Sequence, residues 1–135
     1  MSDDAIYDEF ATRVDAFAAQ FSPALPTGYP GVGFDPPSAG TWLEVRWFPN
    51  ETQNFGLADD APALVQGFGQ VSVCCTPGAG IVPSLAVVKQ LIAYFPKGTE
   101  FDVVRVDRKP WASSVLEAAN RIEIPVTIPW RGFDA

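Results

Sequence analysis

The sequence predicts an α+β domain, a mostly antiparallel sheet with two helices packed on one face. Three observations carry that expectation. Residues 122–131 alternate strictly, with Ile122, Ile124, Val126, Ile128 and Trp130 opposite Glu123, Pro125, Thr127, Pro129 and Arg131. Ile6, Phe10, Val14, Phe17 and Phe21 recur at helical spacing, and so do Leu85, Val88, Ile92 and Phe95, widened by Leu91. Between the two helical stripes lie segments of period two, so strands separate the helices instead of alternating with them regularly.

The first helix spans about residues 4 to 21, capped by Ser2 or Asp3, with acids suited to its positive end and Pro23 ending it. Residues 22–40 hold five prolines and four glycines and read as a connector without periodicity. Trp42–Phe48 reads as a strand with Leu43, Val45 and Trp47 opposite Glu44 and Arg46. Glu51–Leu57 is its candidate partner and Asp59–Ala63 a turn. Val65–Cys75 is the longest strand candidate, and Gly67 and Gly69 on one of its faces leave room for a close neighbour. Pro83 suits the first turn of the second helix, and Gly98 its C-terminal cap. Phe101–Asp107 reads as one strand, and Val115–Arg121 continues that ribbon into the closing strand. Pro125 and Pro129 lack N–H donors on the same side of that closing strand, which predicts an edge position.

At 135 residues the chain fits one domain, 1–135. Charge is unevenly spread: residues 1–60 hold ten acids and two bases, whereas residues 61–135 hold six acids and seven bases. The overall net charge of −7 argues against steady attraction to nucleic acid. No apolar run reaches the roughly 18–20 residues of a spanning helix, so no membrane partner is expected. The N-terminal MSDDAIYDEF is acidic where an export signal is basic, and synthesis in a reducing cytoplasm is expected.

Few residue patterns point to chemistry. There is no histidine, which removes the usual general base near neutral pH and the commonest metal ligand. Cys74 and Cys75 are adjacent and point to opposite faces of a strand, so they neither bridge nor chelate; they read as ordinary strand residues. Asp59–Asp60 reads as a turn, with no calcium-loop spacing around it. Gly78-Ala-Gly80 precedes a helix without completing a phosphate-binding motif. No catalytic, cofactor or metal site is expected. What stands out is aromatic surface: Trp42, Phe48, Phe55, Phe68, Trp111, Trp130 and Phe133 are not all accommodated by the helix-facing stripes, and aromatic residues outside a core mark interface centres.

The order of the elements resembles the small tail terminator, or tail completion, proteins of long non-contractile-tailed phages and related gene transfer agents. The matching segments are IYDEFATRVDAFAAQF, the Pro-rich link with Tyr29-Pro-Gly, TWLEVRWFP at 41–49, GFGQVSVCCTPGAG at 67–80 leading into SLAVVKQLIAYF, and IEIPVTIPWRGF at 122–133. The resemblance implies a non-enzymatic virion protein forming a ring, usually a hexamer, at the head-proximal end of the tail tube. It would stop addition of the major tail protein and then dock to a head completion or connector protein. DNA would pass through the channel without specific binding.

Within that reading, the candidate subunit-contact residues are Trp47, Phe48, Phe55, Gly67, Gly69, Arg105, Arg108, Lys109 and Trp111. Asp3, Asp4, Asp8, Glu9, Asp35, Asp59 and Asp60 are candidate lumen-facing acids, and the loop 50–60 is a candidate contact with tube or connector. Two rivals stand beside it. One is an adaptor or peptide-binding module that uses a sheet edge; the other is a small enzyme with carboxylate chemistry, which needs two acids converging in a pocket. Gene neighbourhood and the mass of any assembled particle discriminate them.

Overall fold

The computed structural model describes residues 3–50, 53–54, 63–78 and 80–134. Helix α1 (Asp3–Ala19) is followed by strands β1 (Thr27–Gly28), β2 (Thr41–Pro49), β3 (Gln53–Asn54) and β4 (Ala63–Cys75). Helix α2 (Val82–Tyr94) then precedes β5 (Glu100–Phe101), β6 (Val104–Val106), β7 (Trp111–Ala112), β8 (Leu116–Glu117) and β9 (Ile122–Asp134). The strands form one sheet in the order β1-β2-β4-β9-β6-β5, with β3 on β4 and with β7 and β8 on β9. All pairings are antiparallel except that of β1 with β2. The expected α+β class, two helices on one face of a mostly antiparallel sheet, is what forms. The expected Ser2 cap, most of the Glu51–Leu57 partner strand and the turn near Asp59 lie outside the described residues; the described part of that strand, β3, pairs with β4 and not with β2 as expected.

Sequence period decides what each face meets. On α1 the stripe Ile6, Phe10, Val14 and Phe17 is buried against Leu43 and Val45 of β2, Val71 and Val73 of β4, and Ile124, Val126 and Ile128 of β9. Arg13 also anchors α1, donating from Nε and Nη2 to the Tyr94 carbonyl at 3.0 and 2.6 Å. The α2 stripe differs from expectation by a rotation. Ser84, Val87, Val88 and Leu91 are buried, whereas Leu85 is exposed. Apolar residues surround most of this helix, so spacing alone does not select the buried face. Gly98 does not cap α2. The cap is Phe95, and the Gly98 N–H instead donates to the Val106 carbonyl at 2.8 Å.

Two strand expectations need correcting. Phe101–Asp107 is a tight hairpin of β5 and β6, turned at Asp102 with φ 55°. More consequentially, β9 is interior. It pairs with β4 along its whole length and on its other side with β8, β7 and β6 in turn. Pro125 and Pro129 do aim their missing donors at one side, because their carbonyls accept from Ser113 N (2.8 Å) and Asp107 N (3.3 Å) there. That side is not bare. The neighbouring chain is broken into three short strands whose gaps fall at the prolines, which is how an interior strand tolerates them.

Gly69 shows why glycine recurs in β4. A Cβ at this position would stand 2.7 Å from Phe10 Cε1, with Cζ closer still, so α1 can approach the sheet only because the position is empty.

Candidate assembly surface

Side chains on the sheet face opposite the helices come from Trp42, Glu44, Arg46 and Phe48 of β2, then Gln66, Phe68, Gln70, Ser72 and Cys74 of β4, following the period of two. From β9 come Glu123, Pro125, Thr127, Pro129 and Arg131. This face divides into an ionic half and an aromatic half.

The ionic half is a connected network in which Arg121 Nε alone of its charged-group atoms is buried without a partner among the described residues. Arg121 Nη1 binds Glu44 Oε2 at 2.8 Å and its Nη2 reaches Glu123 Oε1 at 3.3 Å. Arg46 Nη1 contacts Glu123 Oε2 at 2.8 Å, and the Ser72 hydroxyl donates to the same oxygen at 2.7 Å. Trp42 Nε1 donates to Glu44 Oε2 at 2.9 Å, which explains how a tryptophan outside the helix layer is almost fully buried. Burial pushes the Glu44 carboxyl up, but the bonds from Arg121 and Trp42 outweigh it and hold the group below its usual range. Glu123 behaves likewise, with Ser72 and Arg46 offsetting its burial. The Cys74 thiol receives a contact from Arg121 Nη2 at 3.1 Å, yet burial pushes it up to about 12, so no thiolate forms near neutral pH.

This network makes a prediction with a definite sign. Both carboxylates titrate below their unfolded value of about 4.5, so their stabilisation is complete above that pH. It is lost as pH falls through the lowered folded values. Arg121→Met is expected to cost about 2 kcal/mol at neutral pH and to move acid unfolding to higher pH. Urea midpoints followed from pH 7 to pH 3 measure both effects; an unchanged acid limb would refute the pairing.

The aromatic half is open. Phe48 and Phe68 stack with centroids 4.8 Å apart, and Phe48 remains exposed. Trp111 is exposed under the Arg108 guanidinium, which lies 5.0 Å from the ring centroid. Between them is a hollow of about 380 Å³ lined by Phe68, Trp111, Arg108, Gln66, Gln70 and Asp107 among others. Asp107 Oδ1 is buried there without a hydrogen-bond partner among the described residues.

The sequence-derived candidates fall into three groups. Phe48, Arg108 and Trp111 stand at or beside the hollow, whereas Lys109, next in sequence, is exposed beside Leu85, Ile92 and Lys97 on the α2 side. Arg105 is exposed on β6 opposite Arg131. Trp47 faces the helices, stacked on Trp130 at 5.1 Å and touching Tyr7 and Phe10; Gly67 and Gly69 are covered inside the chain. Trp130, on the apolar face of the closing strand, is core. Phe55 lies outside the described residues. Of the acids, Asp4, Asp8 and Glu9 are exposed on α1 and Asp35 on the connector, while Asp59, Asp60 and the Asp3 side chain lie outside the described residues. Sequence reading missed Gln66 and Gln70, whose signal was their spacing of two and four along β4 beside Phe68. It also missed the Arg121–Glu123 pair, which shares a face for the same reason.

A family model described as phage tail terminator protein matches residues 5–130. The chain belongs to the phage tail terminator family. One solved structure that aligns with it has a TM-score of 0.80 and 26% sequence identity, covering 98% of this chain and 96% of its own. No curated protein matches. Tail terminators are structural virion proteins, and membership places this chain in the phage tail and in tail assembly instead of among enzymes. Among the described residues, no cluster of metal-ligating side chains occurs and no helix is long and apolar enough to cross a membrane.

Proposed function

We propose that this chain closes into a ring, a hexamer in the particle, at the head-proximal end of the tail tube. There it stops addition of the major tail tube protein and presents the surface that joins a head completion or connector protein. It is made in the host cytoplasm before incorporation. The observation that supports this reading is family membership over residues 5–130, joined to a domain whose two sides differ in chemistry. One side carries Asp4, Asp8 and Glu9 on α1; the other carries Phe48 and Trp111 on the sheet with Arg108 over Trp111. Unlike surfaces on one subunit are what head-to-tail association requires, and such association closes into rings when the rotation permits.

The acids of α1 line the channel in this reading, where like charge keeps passing DNA from adhering. Asn50 and the loop after it supply the contact to tube or connector. Particles assembled without this chain are expected to carry tubes of uncontrolled length and no attached heads, as seen by negative-stain microscopy. Tubes of normal length in its absence would overturn the proposal. A ring with Asp4, Asp8 and Glu9 on its outer rim would overturn the lumen assignment alone.

A further inference from the structure

The hollow lies over β4, β9 and β7, whereas the connector between β1 and β2 lies at the β1 end of the strand order. β7, which carries Trp111, pairs with β9 on the side shared with β6 and β8, whereas β1 forms the other end of the strand order. Phe34 and Pro36 of the connector lie beside Gly28, Val45 and Arg46, next to β1 and β2. Among the described residues, none from 33 to 40 makes a backbone–backbone hydrogen bond. Asp35 and Pro36 are exposed, and Pro37 follows. An acidic, proline-stiffened strip with unpaired backbone is thus held at one edge. Over β4, β9 and β7 is a hollow with two aromatic walls, two glutamine side chains and a guanidinium.

We propose that the segment 33–40 of one subunit docks in the Phe68–Trp111 hollow of the next. The chemistry of the two surfaces is complementary in three respects. Pro36 and Pro37 restrict the middle of the strip, before the bend at 38–40, to a polyproline-like shape, which loses little entropy on binding and packs well on aromatic walls. Gln66 and Gln70 each offer an amide donor and an acceptor to backbone groups that have no partner of their own, and Asp107 Oδ1 awaits an N–H. Asp35 meets Arg108, so the pairing joins opposite charges. Because donor strip and acceptor hollow are different surfaces of one subunit, each subunit uses both at once and the contact propagates. This makes Asp35 a contact residue, separate from the α1 acids. The contact deepens the ring reading and rests on it for its biological setting, although the association itself can be tested alone.

The test uses cysteines placed at exposed positions, with the wild-type chain as blank because Cys74 and Cys75 are buried. Ser38→Cys and Lys109→Cys chains are mixed, at high concentration and within assembled tails, and treated with a short bifunctional maleimide. Cross-linking between the two chains is expected in the mixture and not in either alone; a chain carrying both substitutions is expected to give a ladder. Asp35→Arg should reduce the ladder about tenfold and Arg108→Asp in the same chain should restore it, with melting curves confirming that each variant folds. Links formed only within one chain, no links in assembled tails, or indifference to Asp35→Arg would each overturn the contact. Tail length separates this from the wider reading. Normal length control without the cross-link leaves the ring role and removes the contact, while a ladder with uncontrolled tubes does the reverse.

Discussion

Val126→Asp is expected to abolish the cooperative unfolding transition at room temperature. Val126 is fully buried, flanked by Val71 on β4 and Ala112 on β7 and covered by the helices. An aspartate there loses about 1.5–2 kcal/mol of apolar burial and leaves a carboxyl group without a charged partner. That second cost is roughly 3–5 kcal/mol, whether the group is buried charged or neutralised by a raised pKa. Together they approach the whole stability of a small domain, about 5–15 kcal/mol. Far-ultraviolet melting and urea titration measure the result. Val126→Ala serves as the control, losing about 2 kcal/mol while keeping a sharp transition. A normal melt for the aspartate variant would refute the placement of this face.

Gly69→Val is the second large effect. The added side chain would enter the space held by the Phe10 ring, which also touches Trp47, Phe95 and Phe101, so the ring has no free direction in which to move. Overpacking of a dense core costs about 1–3 kcal/mol when the neighbour yields; here α1 must lift from the sheet, and a larger loss is expected. Phe10→Leu should partly rescue Gly69→Val, because the two sites share one volume. Unfolding free energies of the four chains in a double-mutant cycle should show coupling of at least about 1 kcal/mol. Strict additivity would mean that the glycine serves something other than helix approach.

How much of this was legible in the sequence follows from how one-sided each pattern is. The α1 stripe could be read directly because Asp8, Glu9, Thr12 and Asp15 fill the opposite side. α2 has apolar residues around most of its circumference, so its buried face depends on the sheet beneath it, and Ser84 is buried where Leu85 was expected. In β2 both faces carry aromatics, Trp42 and Phe48 against Trp47, and only the position of Phe10 decides which tryptophan meets the helix. The missing N–H groups of Pro125 and Pro129 told correctly which side of β9 was deprived; they did not tell that a neighbour broken into pieces covers it. The hollow was not legible at all as a unit. Phe68 and Trp111 are far apart in the chain and meet only because both β4 and β7 pair with β9.

That dependence on β9 also sets an order of events. β6, β7 and β8 each find their place in the sheet by pairing with residues 122–132. During synthesis those residues follow all the segments that lean on them. A chain interrupted before Ile122 lacks the strand on which β6, β7 and β8 pair, and with it Ile124, Val126 and Ile128 of the core. Under the proposed contact, competence to join other subunits arrives only with the last strand.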